Sequence, residues 1–493
     1  MIHVDRDSHI PLMDQIVSQL AGLIQDGQLP PGTRLASIRK LATSVGVSTA
    51  TVVGAYDRLN ARGLIEARAA AGYFIARPRP QTPRLARASL SRPEMDAIGL
   101  MKSLLQRSDG QIAVGSGFLP AAWLEDMLNS RLLASIARKG QRCYAEPGEP
   151  AGYLPLREQL ALKLGLMGIA ASPDHIVTTF GVTHAFDLIC RALLTPGDTV
   201  AVEEPGYFGL FAQMRAFGIK LVGVPRLANG PDLAVLDQVC AAHRPRLFVT
   251  QTLMHNPTGG TTDAATAFGL LELAQRHGFL IVEDDVYGDL HGGGNALRLA
   301  QADRLERVIF TASFSKVVSP SLRVGYIAAN PQLVELFLNQ KLLGVLSTSE
   351  FDERLVCELL QNGAYRKHLE RLRPRLSHQR ASVVRGLAAA GLAPTLEIDG
   401  SMFVWTALPE GTDLPTLLED ARANGWLLAP GDPFFLRQPP RPMLRFAAAL
   451  ANDQRLFDYL AARIAGVRAT AEGTRRAGAP ERRLPAPAVT PPR

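Results

Sequence analysis

From about residue 113 to residue 465 the chain repeats one pattern, a short run of consecutive apolar residues followed by a longer stretch of helical periodicity. The runs are 175–178 (HIVT), 199–202 (TVAV), 246–250 (RLFVT), 279–282 (FLIV), 307–311 (RVIFT) and 324–327 (VGYI). A strand with one wet face alternates apolar and polar residues, whereas a strand covered on both faces does not. Runs of this kind, separated by helices, imply an α/β domain around a largely parallel sheet. Such sheets bind ligands just beyond the carboxyl ends of their strands. The chain has 493 residues, and at about 150 per folding unit roughly three units are expected.

The front of the chain follows a different rule. Leu12, Ile16, Leu20, Leu23 and Ile24 have helical spacing and stop at Gly27 and Pro30-Pro31-Gly32. Residues 37–44 form a second short helix, and Ser48 caps a third that runs to about Asn60. Short extended runs near residues 64–66 and 73–75 flank Gly72 and read as a hairpin. Three helices and a hairpin make a winged helix-turn-helix. In the third helix Val52, Tyr56 and Leu59 share the buried face, with Val53 at its edge. Ala50, Thr51, Gly54, Asp57 and Arg58 are then expected to point outward, with Ser48 and Thr49 at the positive helix end where a phosphate docks. Arg34, Arg39, Lys40, Arg58, Arg62 and Arg68 supply positive charge around it. The same pattern also describes an ordinary three-helix subdomain with a solvated basic face.

Charge divides along the chain in the same way. The net charge is +7, yet residues 1–92 hold twelve Lys/Arg against six Asp/Glu, and residues 466–493 hold six Arg against two Glu. What lies between is mildly acidic, so the front alone is suited to a polyanion. Residues 77–93, rich in Pro and Arg, read as a linker, and the tail 466–493 as disordered. No apolar run approaches the ~20 residues of a membrane span, and the start lacks the apolar segment of a secretory signal. Cys143, Cys190, Cys240 and Cys357 are far apart with no CxxC, against a metal or disulfide framework. A soluble cytoplasmic protein is expected.

Chemistry-bearing residues recur where the parallel sheet should end its strands. Past 307–311 comes Ser313-Phe-Ser315-Lys316, then Arg323; past 279–282 come Glu283, Asp284, Asp285 and Tyr287. Past 246–250 comes His255-Asn256-Pro257-Thr258-Gly259, and past 175–178 come Gly181, Val182 and Thr183 opening a helix. Pyridoxal phosphate requires an amine, an anion for its ring nitrogen, donors for its phenolate oxygen and an anion nest for its phosphate. Each taken singly has an ordinary reading: a solvated lysine, an Asp at a helix start, an Asn turn, a Gly bend. The joint order and spacing favour the cofactor.

Two resemblances sharpen this. Pro11-Leu12, Gln15-Ile16, Gly27, Leu29, Gly32, Leu35, Ser37, Arg39, Leu41-Ala42, Val47-Ser48, Thr51-Val52, Ala55-Tyr56 and Leu59 resemble the GntR family of bacterial winged-helix repressors over residues 9–76. The resemblance implies double-stranded operator DNA as partner, with Arg34, Ser37, Arg39, Lys40, Ser48, Thr49, Ala50, Thr51 and Arg58 at the interface. Ala36 stands where the family usually has Pro, and Thr49 where it usually has a DNA-contacting Arg.

Residues 110–465 resemble fold-type I aminotransferases. That likeness implies Lys316 as the Schiff-base lysine, Asp284 as the pyridinium partner and Tyr207 as the residue stacked on the ring. It implies Asn256 and Tyr287 on the phenolate oxygen, and Gly181, Val182, Thr183, Ser313, Ser315 and Arg323 on the phosphate. Tyr144 is implied to reach a neighbouring subunit's phosphate, hence a homodimer, and Arg445 to pair with an α-carboxylate, a structural salt bridge being its alternative. The fusion is similar to the MocR/GabR regulators over all but the tail. The expected layout is therefore a winged helix at 1–76, a linker at 77–105, an aminotransferase-like body at 106–465 (large domain about 106–345, small about 346–465) and a disordered tail at 466–493. The expected function is a transcriptional regulator that senses an amino acid or amine through pyridoxal phosphate, without metal or membrane. A working aminotransferase is the alternative, because every catalytic position is filled. A DNA-compacting protein is disfavoured by the acidic body.

Overall fold

The computed structural model describes residues 2–6, 8, 10–68, 71–76, 92–105, 110–139, 145–292, 297–398 and 400–477. The expected roles of Tyr144, of residues 77–91 and of residues 478–493 fall outside the described residues. The chain divides into two units, Met1–Ser89 and Leu90–Arg493. Among the described residues no helix is long and apolar enough to cross a membrane.

The first unit is the expected winged helix-turn-helix. Helices α1 (Leu12–Gln25), α2 (Ile38–Val45) and α3 (Thr49–Ala61) precede an antiparallel hairpin of β1 (Ile65–Arg68) and β2 (Gly72–Ile75). Ser37 caps α2 by accepting from the Lys40 amide, and Ser48 caps α3 by accepting from the Thr51 amide. Helix α2 stops at Gly46, whose φ of 69° is the left-handed conformation glycine adopts without strain. Ile16, Val17 and Leu20 of α1 meet Val52, Ala55, Tyr56 and Leu59 of α3, and Ile65 and Ile75 close the core.

In the second unit eight strands lie in the order β3-β10-β9-β8-β7-β4-β5-β6. They are β3 (Ile176–Thr179), β4 (Thr199–Glu204), β5 (Lys220–Leu227), β6 (Gly230–Pro231), β7 (Leu247–Thr250), β8 (Leu280–Asp284), β9 (Val308–Ser313) and β10 (Gly325–Ala328). From β9 through β8, β7 and β4 to β5 the pairing is parallel, while β10 runs antiparallel to both β3 and β9. All six apolar runs are strands of this sheet. Every residue of β3, β7, β9 and β10 is buried, which is why their sequences carry no alternation.

A second core forms around a three-stranded antiparallel sheet, β11 (Phe403–Ala407), β13 (Met443–Ala447) and β12 (Ala429–Pro430). The segment expected to form the small domain, about 346–465, contributes to both cores. The helix Ala364–Ala389 gives Leu369, Leu372 and Leu376 to the large core and Val383 and Leu387 to the second. Val114, far upstream, also packs in the second core.

Two expectations of irregular chain are corrected. Residues 92–105, assigned to the linker, form helix α4 (Arg92–Leu105). Its Ala97 and Leu100 are buried in one cluster with Phe208, Ala212, Trp405, Phe434 and Met443, with Met101 and Leu104 packed against it. Positions 97, 100, 101 and 104 mark one helical face, a period hidden by the Pro/Arg composition just upstream. Residues 466–477, assigned to the tail, continue the helix Gln454–Ala477. Ala, Arg and Glu sustain a helix without large apolar residues.

Candidate functional site

The carboxyl ends of β7, β8 and β9 and the turn after β3 surround one cavity of about 420 Å³. It is lined by Val182, Thr183, Tyr207, Asn256, Asp284, Tyr287, Ser313, Ser315, Lys316, Arg323 and Arg445, residues drawn from distant parts of the sequence. Gly181 lies directly behind Arg323.

Asp284 and Ser313 end strands β8 and β9, and Ser315 and Lys316 follow β9 directly. Along a strand successive side chains alternate faces, and this sorts Glu283 and Asp284, which end β8, and Asp285, which follows it. Asp284 enters the cavity. Glu283 accepts from the Thr252 hydroxyl and the Leu299 and Ala300 amides, and Asp285 pairs with Arg298 Nε at 3.1 Å. Asp284 is 4% exposed, and it accepts from Gln251 Nε2 at 2.7 Å and the Val286 amide at 3.2 Å. Burial pushes its carboxyl up to about 6, against those two donors and the nearby Lys316.

Lys316 ends a short turn after β9. Ser313 accepts from the Ser315 amide and donates to the Val324 carbonyl, which fixes that turn. The Lys316 ammonium lies 3.7 Å from the centre of the Phe118 ring and 5.4 Å from that of Tyr287. Burial, together with Arg445 and Arg323, brings its pKa down to about 7, against the pull of Asp284. An amine at that value has a large neutral, nucleophilic fraction at neutral pH.

Arg323 donates to Ser315 Oγ at 3.1 Å and to the Phe180 carbonyl at 2.9 Å. A Cβ on Gly181 would stand 2.8 Å from Arg323 Nη2, and Gly181 has a φ of 76°. Only glycine brings the backbone this close to the guanidinium. Val182 and Thr183 then open the helix Val182–Leu193, whose first-turn amides suit an anion.

Arg445 lies on β13 of the second core and is 2% exposed. It donates from Nη1 to Asn256 Oδ1 and from Nη2 to the Gly115 carbonyl, both at 2.6 Å. The Phe403 and Phe434 rings lie 4.5 and 4.8 Å from its guanidinium carbon. Among the described residues no carboxylate pairs with it, and its buried Nε has no hydrogen-bond partner. The structural salt bridge considered as its alternative is therefore not formed among the described residues. A buried cation without an acid is costly until an anion arrives. Because Arg445 occupies the carbonyl oxygen of Asn256, the NH2 group is what Asn256 has left to donate. The donors and acceptors thus fit pyridoxal phosphate: an amine, a buried carboxylate, amide and phenol donors, and a cationic nest.

Two comparisons with known proteins follow the two units. Residues 12–75 match the family model of bacterial regulatory proteins of the gntR family. Residues 110–464 match the model of aminotransferase class I and II. The chain belongs to the class I and II aminotransferases. It is also a gntR-type DNA-binding regulator, the helix-turn-helix unit preceding the aminotransferase body. The uncharacterized HTH-type transcriptional regulator YdcR of Escherichia coli K12 is 30% identical, covering 88% of this chain and 94% of its own. The probable rhizopine catabolism regulatory protein MocR of Rhizobium meliloti is 28% identical, covering 90% of each. Among solved structures, the α-aminoadipate aminotransferase LysN of Thermus thermophilus, complexed with N-(5'-phosphopyridoxyl)-L-leucine, matches with a TM-score of 0.69. It is 28% identical and covers 76% of this chain and 98% of its own.

The aminotransferase cavity also contains residues that sequence reasoning passed over: Gln251, Ser116, Gly117, Phe118, and Met101, Leu104 and Leu105 of α4. Gln251 directly follows β7, at the carboxyl edge where the sheet presents ligand-facing side chains, so its position was a usable signal. A larger recess, about 630 Å³, opens beside Arg244, Arg246 and Arg276. Arg246 and Arg276 there approach Asp198 and Asp237, and among its described lining residues there is no amine–carboxylate pair like that of the cavity.

In the helix-turn-helix unit Arg34, Ser37, Arg39, Lys40, Ser48, Thr49 and Ala50 are at least partly exposed, as an interface requires. Thr51 is partly exposed too, its hydroxyl 2.7 Å from Ser48 Oγ, and Arg58 is exposed and ion-paired with Asp14. One expectation changes. Gly54 faces inward: a Cβ there would stand 2.7 Å from Met13 Cε, so it lets α3 close on α1.

Proposed function

We propose that the body carries pyridoxal phosphate on Lys316 and senses an amino acid or amine, to which the helix-turn-helix unit responds by changing its hold on a duplex operator. The observation that carries this reading is Arg445, a buried cation without an acid among the described residues, in the same cavity as Lys316 and Asp284. When bound, pyridoxal phosphate supplies a carbonyl that exchanges amines and a protonated ring that withdraws electrons. Asp284 would face its ring nitrogen and Tyr207 would stack on the ring. Asn256 and Tyr287 would donate to the phenolate oxygen, while Gly181, Val182, Thr183, Ser313, Ser315 and Arg323 would hold the phosphate. Arg445 receives the α-carboxylate in a forked pair. An amino compound held by Arg445 would fill the cavity beside Lys316, and its differential contact with two arrangements of the body would bias one over the other.

The test uses the full chain. Purified protein should absorb visible light, borohydride should fix the cofactor to Lys316, and Lys316→Ala should lose the fixed cofactor. Operator binding should change on adding the effector. A fixed adduct in Lys316→Ala would overturn the lysine assignment.

A second reading, turnover as an aminotransferase, is favoured by the lowered pKa of Lys316, because an amine near 7 both accepts and returns a proton at Cα. Release of keto acid separates turnover from sensing. A homodimer is supported by the apolar surface at the end of the helix Pro331–Gly344 and just after it, where Leu343 is 84% and Leu346 67% exposed. An operator reader of this kind belongs in the cytoplasm.

A further inference from the structure

We propose that the effector is an α-amino acid with an apolar side chain, selected by Met101, Leu104 and Leu105 of α4. This rests on the cofactor reading above and names the ligand class for the same cavity.

Among the described lining residues the charged side chains are Asp284, Lys316, Arg323 and Arg445. Each has a task already: ring nitrogen, attachment, phosphate and α-carboxylate. No fifth charge is left among them for a distal carboxylate or ammonium. The uncharged polar lining residues are also engaged, Gln251 with Asp284 and the Asn256 amide and Ser116 with the Phe118 amide, while Thr183, Asn256, Tyr287, Ser313 and Ser315 serve the cofactor in the reading above. Met101, Leu104 and Leu105 with Phe118 and Phe208 add an apolar stretch of wall. A charged side chain placed there loses its water and gains no partner. An alkyl or aromatic one gains about fourfold in affinity per buried methylene.

The selecting residues are held in place. Ala97 and Leu100, one turn earlier in α4, are buried against Phe208, Trp405, Phe434 and Met443. Met101 and Leu104 are half-buried on the same face, and Leu105 is 62% exposed at the cavity rim. The wall is therefore part of a packed helix. It belongs to the segment that joins the body to the chain upstream, so side-chain selection and attachment share one element.

The test is a spectral titration of the full-length, pyridoxal-phosphate-loaded protein, with the visible band verified first in each variant. Alanine, norvaline and leucine should bind progressively tighter, by about fourfold per methylene. Aspartate, glutamate and lysine should cause no shift at concentrations where leucine saturates. Leu104→Ala should weaken leucine about tenfold or more while alanine changes little. Leu105→Lys, at an exposed position that tolerates charge, should admit glutamate. Equal affinity for alanine and leucine, or tighter binding of an acidic or basic amino acid to the unaltered protein, overturns the proposal and leaves the cofactor reading intact. Absence of the visible band in the unaltered protein overturns both.

Discussion

Gln251 donates from Nε2 to Asp284 Oδ2 at 2.7 Å and accepts at Oε1 from the Asn256 amide at 2.8 Å. One side chain thereby fixes both Asp284, the acid proposed for the ring nitrogen, and the loop that carries Asn256, the proposed phenolate donor. Its own backbone amide is held by Glu203, itself bonded to Arg226. Removing the amide donor leaves the Asp284 carboxylate less stabilised, so its pKa rises beyond about 6 and the anion is lost near neutral pH. Gln251→Leu should weaken pyridoxal phosphate binding by tenfold or more, as expected for a hydrogen bond to a charged group worth about 1.5–3 kcal/mol. The pH midpoint of the bound cofactor's spectrum should move with it. An unchanged midpoint would reduce Gln251 to packing.

Cofactor uptake should follow the state of Lys316. Its pKa near 7 predicts that the rate of pyridoxal phosphate capture by the apo-protein rises through pH 7 and levels above it. Stopped-flow absorbance measures this. The stability sign is the reverse of a salt-bridged lysine. Between pH 7 and 10.5 the unfolded chain holds a proton that the folded chain does not, so apo stability from this group increases as pH rises. Lys316→Met should remove that slope.

Arg445 separates amino acids from simple amines. Arg445→Lys keeps a charge but loses the fork that spans Asn256 and Gly115. Affinity for an α-amino acid should fall by about thirtyfold or more, in the range of about 2–5 kcal/mol for a truncated buried charge pair. Its decarboxylated amine should bind about as before. Calorimetric titration of both ligands decides the matter, and equal losses would point to a collapsed site.

For the DNA-binding unit, the exposed Arg39 and Lys40 should each contribute one phosphate contact. Replacing either with Ala should lower operator affinity and reduce the slope of log K against log salt by about one. Asp14→Asn breaks the exposed pair with Arg58 and should alter stability by no more than about 1 kcal/mol. It also frees Arg58, so operator affinity should rise. Salt-dependent binding curves distinguish the two effects.

The strands were legible because burial on both faces writes itself as runs such as LFVT in β7. Lys316, Asp284 and Asn256 were legible because a parallel sheet brings its strand ends to one edge, so order in sequence becomes proximity. What could not be read is the pairing across that edge. Gln251 is an unremarkable amide until β8 is placed beside β7, and Arg58 is a free cation on paper until α1 brings Asp14 to it. The helix α4 was missed for a different reason: its four-residue apolar face adjoins a Pro/Arg stretch, and composition outweighed period. Gly54 was misplaced because a missing Cβ fits either an open groove or a close helix contact.

Helix α4 has a mechanical consequence. Its buried residues form a separate cluster with Phe208, which follows β4 of the large sheet, and with Trp405 of β11 and Met443 of β13, while Met101, Leu104 and Leu105 line the cavity. If the two cores shift against each other when the cavity fills, α4 must slide, tilt or detach on one side. Because α4 opens the described part of the second unit, such a shift would move the point at which that unit begins. Such a protein needs no dedicated signalling loop: the hinge pin is also the leash.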